Sequence, residues 1–339
     1  MKQKVVVAMS GGVDSSVAAA LLKDKGYEVI GITLNLFGNT DGNIPCCGAG
    51  IQSDKARKVC NLLGIRHYQK NSRELFYKNV IENFVKEYFL GRTPNPCVEC
   101  NRLIKFSYLF SIARQIGADF ISTGHYARIA VKDGKRFLMR GRDSAKDQSY
   151  FLYCLKYSEL KDIIFPLGDL TKTEVRDIAG ELNLPTAREK ESKDVCFIPD
   201  GNCFNFLKSF ALVGHGDGKI KDMEGRVIGS HKGFFGFTIG QRRNLGVSRG
   251  KRCYVVSVNP GANEVIVGNR KDANVRSFKI KDMNYLTENR PQTGQRFQVQ
   301  IRYKHQPVMG EIVQQENCSV QIRFDEPQFA VTCGQSAVL

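Results

Sequence analysis

The sequence lacks long apolar runs. None of the stretches in its 339 residues approaches the ~18 apolar residues that a membrane-spanning helix requires. The first apolar strand begins directly after Met1-Lys2-Gln3-Lys4, so we expect no signal or transit peptide. Both observations predict a cytoplasmic protein that has no membrane partner.

Acidic residues are scarce relative to basic ones. The chain has 34 Asp and Glu against 50 Lys and Arg, a formal net charge of +16. This excess is typical of proteins that bind a polyanion, although it also fits a generically basic surface, and it does not separate RNA from DNA or an acidic protein. The 11 cysteines are an odd number in a long, cytosolic chain. We therefore predict that some thiols take part in chemistry rather than in a disulfide framework.

The two commonest phosphate-binding signatures are missing. A Walker loop places Lys directly before its Ser or Thr, and a dinucleotide fingerprint has three spaced glycines, whereas residues 10–15 are Ser-Gly-Gly-Val-Asp-Ser. This stretch follows an apolar strand at residues 5–8 and precedes an apolar helix at residues 17–22. Unpaired N–H groups and the dipole at such a helix start favour anions. We predict a nucleotide phosphate site; the alternative is a tight turn whose glycines serve geometry only.

Helical and strand-like segments alternate along the first half of the chain. Strands are predicted at residues 28–36, 65–68 and 119–122, a hairpin at 127–131 and 136–140, and helices at 52–63, 74–90, 103–116 and 171–182. This alternation predicts an open, mostly parallel sheet covered by helices.

Beyond residue 210 the composition changes to glycine-rich segments and short alternating strands, so one or two small β modules should follow. Strands are predicted there at residues 254–258, 264–267, 297–303, 319–324 and 329–332. Basic side chains suited to a phosphate backbone are dense in this part: Arg242, Arg243, Arg249, Lys251, Arg252, Arg302 and Lys304.

Residues 93–101 interrupt the helical pattern with two prolines, which predicts a rigid loop that leads into a helix with Cys100 at its start. A helix N-terminus and the nearby cations Arg102 and Lys105 lower the pKa of a thiol, so Cys100 is predicted to be reactive. The spacing of Cys97 and Cys100 also fits a redox dithiol or half of a metal site.

Four further motifs are candidate sites, and the last three leave alternatives open. Residues 123–126 end a strand, where ligands of open α/β sheets bind. Residues 146–151 form a polar cluster that either carries chemistry or simply opens an apolar helix. Cys196 is flanked by apolar residues like an inert core thiol, yet the charged residues 188–194 beside it would let it move to and from a site. The adjacent pair Cys46-Cys47 could bind metal, but no second pair at ligand spacing is present, and we favour a loop.

Several motifs occur in one order along nearly the whole chain. They are Ser10-Gly11-Gly12-Val13-Asp14-Ser15, Asn95-Pro96-Cys97 with Cys100-Asn101, Thr123-Gly124-His125-Tyr126, Lys146-Asp147-Gln148-Ser149-Tyr150, Cys196-Phe197-Ile198 and Thr238-Ile239-Gly240-Gln241-Arg242. Together they resemble the tRNA-specific 2-thiouridylases, a family of PP-loop ATP pyrophosphatases. The resemblance implies an α/β PP-loop catalytic domain of the adenine nucleotide alpha hydrolase type at residues 1–205, a central β-rich domain at 206–272 and a C-terminal β-barrel domain at 273–339.

The resemblance also implies a reaction. An enzyme of this family, a tRNA-uridine 2-sulfurtransferase, uses ATP with Mg²⁺ to adenylate O2 of the wobble uridine in tRNAs of the Lys, Glu and Gln type. Sulfur from a cysteine persulfide then gives 2-thiouridine, with AMP and pyrophosphate as the other products. A cysteine desulfurase or a sulfur-relay protein would load the persulfide.

Roles for individual residues follow from the same resemblance. Cys100 matches the family's nucleophile and Cys196 its persulfide carrier, and the two would form a transient disulfide. The matches to ATP contacts are Ala8, Met9, Ser10, Gly11, Gly12, Val13, Asp14, Ser15, Leu34 and Gly124. The matches to the target-base loop are Asn95, Pro96 and Cys97, those to tRNA contacts are Lys146, Asp147, Gln148, Arg302 and Tyr303, and those to positions beside the tRNA are His125 and Gln335.

One position departs from the family pattern. Cys97 stands where some members carry an aspartate proposed as general acid/base, and Glu99 is the nearest carboxylate, so that role has no assigned residue. The departure also provides three cysteines, Cys97, Cys100 and Cys196, that could hold an iron–sulfur cluster. We favour the persulfide route. Two other functions fit less well: another PP-loop RNA enzyme, such as a lysidine or 4-thiouridine synthase, and a non-catalytic RNA-binding protein.

Overall fold

The computed structural model describes residues 2–36, 49–189, 195–198, 201–211, 216–247, 252–316 and 318–339. The chain divides into two units. The first comprises Met1–Val80, Cys97–Pro199 and Asn284–Asn289, and the second Ile81–Pro96, Asp200–Met283 and Arg290–Leu339. None of the helices in the described ranges has the length and apolarity that crossing a membrane requires.

The first part of the chain alternates strands and helices as predicted. In chain order the elements are β1 (Lys4–Ala8), α1 (Val13–Asp24), β2 (Glu28–Asn35), α2 (Ala49–Leu62), β3 (Arg66–Asn71), α3 (Arg73–Phe76), a π-helical segment (Tyr77–Ile81), α4 (Glu82–Phe89), α5 (Pro96–Glu99), a second π-helical segment (Cys100–Phe106), α6 (Ser107–Gln115), β4 (Phe120–Ser122), β5 (Ala127–Lys132), β6 (Lys135–Arg140), 3₁₀ turns at Ser149–Leu152 and Tyr157–Asp162, β7 (Ile163–Ile164) and α7 (Lys172–Glu181).

Five strands of the first unit form a parallel sheet in the order β3-β2-β1-β4-β7. β1 lies at its centre because its valines are buried on both faces. Val5 and Val7 pack with α1, α2 and α7 on one face, whereas Val6 packs with α6 on the other. The predicted open parallel sheet covered by helices is therefore confirmed, and β5 and β6 form the predicted hairpin.

Two predictions about helices were wrong. Residues 93–101 are not a loop throughout, because helix α5 begins at Pro96 and continues into the π-helical segment, so Cys100 lies inside a helical run rather than at its start. Proline is favoured in the first turn of a helix, where its missing N–H would be unpaired in any case. Residues 146–151 open only the short 3₁₀ turn Ser149–Leu152 instead of a long apolar helix.

The second unit carries the β modules. Its remaining elements are α8 (Cys203–Lys208), β8 (Gly218–Lys221), β9 (Val227–His231), a 3₁₀ turn at Phe234–Gly236, β10 (Tyr254–Asn259), β11 (Glu264–Gly268), a 3₁₀ turn at Arg270–Ala273, β12 (Asn274–Lys281), β13 (Arg296–Val299), β14 (Val308–Glu316) and β15 (Ser319–Phe329). They form two four-stranded sheets, in the orders β10-β11-β8-β9 and β12-β15-β14-β13. The predicted hairpin of β10 and β11 is confirmed.

The C-terminal sheet differs from the prediction in three strands. β12 and β14 were missed, and the two short strands predicted at residues 319–324 and 329–332 were wrong, because one strand, β15, runs through Pro327. The pairing of β12 with β15 shifts register between Val275 and Ser277, which places Pro327 in a bulge. A bulge tolerates proline because no ladder hydrogen bond is lost there.

Candidate active site

The Ser/Gly loop between β1 and α1 is a tight turn held by hydroxyl groups. The Ser10 and Ser15 hydroxyls lie 3.1 Å apart, and Ser15 Oγ donates to the Gly12 carbonyl at 3.1 Å. Gly11 has a φ of +77°, and a β-carbon there would collide with the Gln52 carbonyl, so both its conformation and its surroundings require glycine. Gly12 is the N-cap of α1 in extended conformation. The loop therefore presents the start of α1, as a phosphate site requires.

The ends of β1, β2 and β4 surround this loop. Met9 donates its N–H to the Ile32 carbonyl at 2.8 Å and accepts a bond from the Thr33 hydroxyl at 2.8 Å, which ties the loop to β2 near Leu34. Gly124 follows β4, and a β-carbon on it would lie 2.8 Å from the backbone of Asp14 and Ser15. The predicted ATP-contact residues of the first unit therefore lie at one edge of the sheet, where open α/β sheets bind ligands.

Asp14, in the first turn of α1, links the loop region to two other parts of the first unit. Its Oδ1 accepts a hydrogen bond from the Tyr126 hydroxyl at 2.8 Å and one from Lys172 Nζ at 2.7 Å. Lys172 is nearly buried and its ammonium also lies 5.8 Å from the centre of the Tyr126 ring. Sequence reasoning missed Lys172, because no local pattern connects residues that are 158 positions apart.

Residues 146–148 connect to the same cluster through the backbone. Gln148 donates its N–H to the Tyr126 carbonyl at 2.9 Å, and its side-chain oxygen accepts from the Tyr126 N–H at 3.1 Å. The Asp147 carboxylate accepts from the N–H groups of Gly141 and Ser149 at 2.9 and 3.1 Å. These side chains shape the loop that holds Lys146, and their tRNA contacts stay a prediction.

Cys100 is buried at the start of the π-helical segment. The expected lowering of its pKa was wrong: burial raises the pKa of this thiol, and the positive charge of Lys105 opposes the rise only in part. The next residue, Asn101, donates its amide to the Phe151 carbonyl at 3.0 Å and thereby fixes this helical run against the Ser149–Leu152 turn.

Cys97 and Cys196 both reach the surface, and Cys196 is therefore not the core thiol that its apolar neighbours would indicate. Phe197 beside it is buried and packs edge-on against Phe76, with ring centroids 5.9 Å apart. Protein surrounds the two sulfur atoms on their other sides. This desolvation raises the pKa of Cys97, and that of Cys196 to about 12, where the negative charges of Cys100 and Cys97 add to the rise.

Lys105 acts on all three thiols, because its positive charge lowers the pKa of each of them and so opposes the effect of burial. Cys97, Cys100 and Cys196 are free thiols. Within the described ranges, no group of three or more Cys, His, Asp or Glu side chains is arranged to hold a metal ion, and an iron–sulfur cluster at the three cysteines stays a hypothesis. The pair Cys46-Cys47 lies outside the described residues, as do residues 190–194 of the charged loop.

His125 lies in the core beside the loop. Its Nδ1 is 2.7 Å from the Thr123 hydroxyl, and its ring stacks on Phe106 at 5.9 Å. Burial, together with the charge of Lys105, holds the pKa of His125 well below its ordinary value, so the ring is neutral at physiological pH.

The other predicted tRNA-side residues lie in the second unit. Gln335 donates its side-chain N–H to the Thr93 carbonyl at 2.8 Å, which fixes it against the segment that leads into Asn95 and Pro96. Arg302 donates to the Phe329 carbonyl at 3.0 Å, and Tyr303 follows it directly.

Three family models match the chain in succession. They are described as "tRNA methyl transferase HUP domain" at residues 3–200, "tRNA methyl transferase PRC-barrel domain" at 205–269 and "Aminomethyltransferase beta-barrel domain" at 275–339. The fold is thus a HUP-type α/β domain followed by a PRC-barrel-like domain and a β-barrel domain, which confirms the predicted fold class.

Full-length relatives define the family more narrowly. A tRNA-specific 2-thiouridylase MnmA of Moorella thermoacetica is 44% identical over 98% of this chain and 95% of its own length. One from Clostridium perfringens is 41% identical over 99% of this chain and 95% of its own length. The chain belongs to the tRNA-specific 2-thiouridylase family, as its motifs predicted.

Solved structures resemble the chain less closely. A 4-thiouridine synthetase in complex with RNA and ATP has a TM-score of 0.37 at 18% identity, covering 57% of this chain and 45% of that one. An NMN synthetase from Francisella tularensis has a TM-score of 0.35 at 20% identity, covering 56% of this chain and 66% of that one.

Proposed function

We propose that this protein forms 2-thiouridine in tRNA. It adenylates O2 of a wobble uridine with ATP and then transfers sulfur from a persulfide on Cys196 to C2 of the base. One observation carries the proposal: the first unit contains two sites that the reaction needs. One is the start of α1 at Asp14, which is suited to an anion, and the other is the pair of thiols of Cys100 and Cys196, whose pKa values the charge of Lys105 lowers against the effect of burial.

The first half-reaction needs a site for ATP. The loop N–H groups and hydroxyls of Ser10 and Ser15 are suited to phosphate oxygens, while Leu34 and Gly124 border the space for the nucleoside. Mg²⁺ is usually held by one or two carboxylates and by the phosphates themselves. Asp14 fits that requirement because its carboxylate is already fixed by Tyr126 and Lys172. When bound, the ion would supply charge neutralisation for the triphosphate.

The second half-reaction uses both thiols. The terminal sulfur of the Cys196 persulfide attacks C2, which links the base to Cys196 through a disulfide. The Cys100 thiolate then attacks the Cys196 sulfur, the S–S bond to the base breaks with its electron pair on the base sulfur, and AMP leaves. A Cys100–Cys196 disulfide remains, and an external dithiol reduces it. The persulfide route needs no metal cluster at Cys97.

The tRNA partner is supported by the relatives' names and by the net charge of +16. Lys146, Asp147, Gln148, His125, Arg302, Tyr303, Gln335 and the Asn95-Pro96-Cys97 segment are the proposed contacts. The three-domain division at residues 1–205, 206–272 and 273–339 is consistent with the family-model ranges. We also propose a cytoplasmic location, tRNAs of the Lys, Glu and Gln type, and a cysteine desulfurase or sulfur-relay protein as persulfide donor.

Mass spectrometry of the products tests the function directly. The protein, ATP with Mg²⁺, a persulfide donor and unmodified tRNA should give 2-thiouridine together with AMP and pyrophosphate. The family models are named after methyl transferases, and the exchange of oxygen for sulfur has a different mass change from the addition of a methyl group. A methylated nucleoside, or tRNA binding without AMP release, would contradict the proposal.

The raised pKa of Cys100 predicts how sulfur transfer depends on pH. Below its pKa the thiolate fraction rises about tenfold per pH unit, so the single-turnover rate of sulfur transfer should climb steadily from about pH 7 to about pH 9. Lys105→Gln removes the charge that favours the thiolate, so the profile should move to higher pH, whereas Lys105→Arg should preserve it. A rate that is flat over this range, or unchanged in the Lys105→Gln variant, would show that the Cys100 thiolate does not limit the step.

A further inference from the structure

Lys172 occupies an unusual position for a lysine. It is 9% exposed, and its ammonium lies 2.7 Å from Asp14 Oδ1. Lysine is seldom buried, because removing its charge from water is costly unless a partner compensates. A buried ion pair is weak evidence for a stabilising role, since well-packed apolar residues often serve as well. The position of this lysine therefore calls for a functional explanation.

The backbone around Lys172 holds it firmly at the start of α7. Thr171 caps the helix and shares a capping box with Glu174, and the Lys172 N–H donates to Asp143 Oδ2 at 2.9 Å. Val175 and Ala179 of the same helix are fully buried in the cluster that contains α1. The backbone of Lys172 is thus fixed by α7, and its ammonium lies beside Asp14 in the first turn of α1.

The phosphate loop itself contains no lysine. A Walker loop carries one in sequence that reaches the β and γ phosphates, but residues 10–15 have none. The fold supplies a cation from elsewhere in the chain. Lys172 of α7, 158 residues after Asp14, places its ammonium beside the Asp14 carboxylate. Tyr126 completes the arrangement by bonding the same carboxylate oxygen from the end of β4.

We propose that Lys172 is a phosphate-binding residue of the nucleotide site, held by Asp14 until ATP arrives. This inference rests on the proposed function. When the bond between the α phosphorus and the oxygen that joins it to the β phosphorus breaks, that oxygen leaves with pyrophosphate and gains negative charge. The Lys172 ammonium stabilises it by hydrogen bonding without giving up its proton. The same contact favours ligands that carry this phosphate group over adenosine, which carries none.

Comparison of ATP with adenosine tests this role in the full-length protein without any turnover. Lys172→Met should weaken ATP and pyrophosphate binding by about ten- to a hundredfold, the usual effect of losing one charge-assisted hydrogen bond, and should leave adenosine binding unchanged. Lys172→Arg should retain most of the affinity for ATP. Lys221→Met removes an ion-paired lysine of β8 and serves as the matched control.

A second background separates phosphate binding from a merely structural pairing with Asp14. In Asp14→Asn protein the ion pair is already lost, so a structural Lys172 would cost nothing further when it is replaced. If Lys172 binds phosphate, Lys172→Met would still weaken ATP binding in the Asp14→Asn background. Equal losses for ATP and adenosine, or no additional loss in the double variant, would overturn the inference. Failure of the wild-type protein to thiolate tRNA would refute the proposed function but not this one, because the binding measurements do not depend on tRNA.

Discussion

Asp14→Asn is expected to lower tRNA-dependent pyrophosphate release by at least about a hundredfold while tRNA binding stays intact. Asparagine has the shape of aspartate and still accepts a hydrogen bond from Tyr126, so the fold around α1 should survive. What disappears is the negative charge that pairs with Lys172 and that would meet the Mg²⁺ of ATP. The measurement is the rate of pyrophosphate release with saturating tRNA, together with the tRNA dissociation constant.

Two comparisons make the Asp14 result specific. Asp24→Asn changes the same residue type at the other end of α1 and should leave release unchanged. Tyr126→Phe removes one of the bonds to the Asp14 carboxylate and keeps the buried ring, so its loss should be smaller than that of Asp14→Asn. Pyrophosphate release at the wild-type rate from the Asp14→Asn protein would show that Asp14 has no role in the nucleotide site.

The nucleotide loop could be predicted because its signal is contiguous. A strand with valines on both faces, a Ser/Gly turn and an apolar helix lie within one short stretch, and the parallel sheet follows from the alternation around them. Lys172 could not be found in this way. Its partner is 158 residues away, and the contact exists only because α7 packs on the same face of the sheet as α1.

The chemistry of Cys100 shows a different limit. Its sequence neighbours, a predicted helix start and two cations, indicated a lowered pKa, but the sign is decided by burial, which depends on the packing of distant segments such as Phe151 against Asn101. The position of Cys100 inside a helical run could have been predicted, because Pro96 is a strong signal for a helix that starts before Cys97. The exposure of Cys196 could not be predicted, because the adjacent apolar residue Phe197 is buried in the core.

Cys196→Ser and Cys100→Ser are each expected to abolish 2-thiouridine formation, but to fail at different steps. Cys196→Ser has no carrier, so neither a persulfide nor a protein–tRNA adduct should form. Cys100→Ser can still load the persulfide and attack C2, but nothing then cleaves the bond between the base sulfur and Cys196. Without small thiols, a disulfide-linked tRNA adduct should accumulate on Cys196, and added dithiothreitol should release it as thiolated tRNA.

Pyrophosphate release provides the internal reference for both variants, because adenylation precedes sulfur transfer and should continue in each. Cys318→Ser replaces another exposed cysteine, in the C-terminal sheet, and should behave as wild type. An adduct on Cys100 in the Cys196→Ser protein would reverse the two roles. Formation of 2-thiouridine at the wild-type level by either serine variant would rule out the two-thiol mechanism.

Cys97 decides between the persulfide route and an iron–sulfur cluster. With the persulfide route, Cys97→Ser should keep substantial activity, because the carrier and the attacking thiol both remain. A cluster held by three cysteines would lose a ligand, and the variant would lose its activity together with its iron and its visible absorbance. A coloured, iron-containing parent protein whose Cys97→Ser variant is colourless and inactive would contradict the persulfide route.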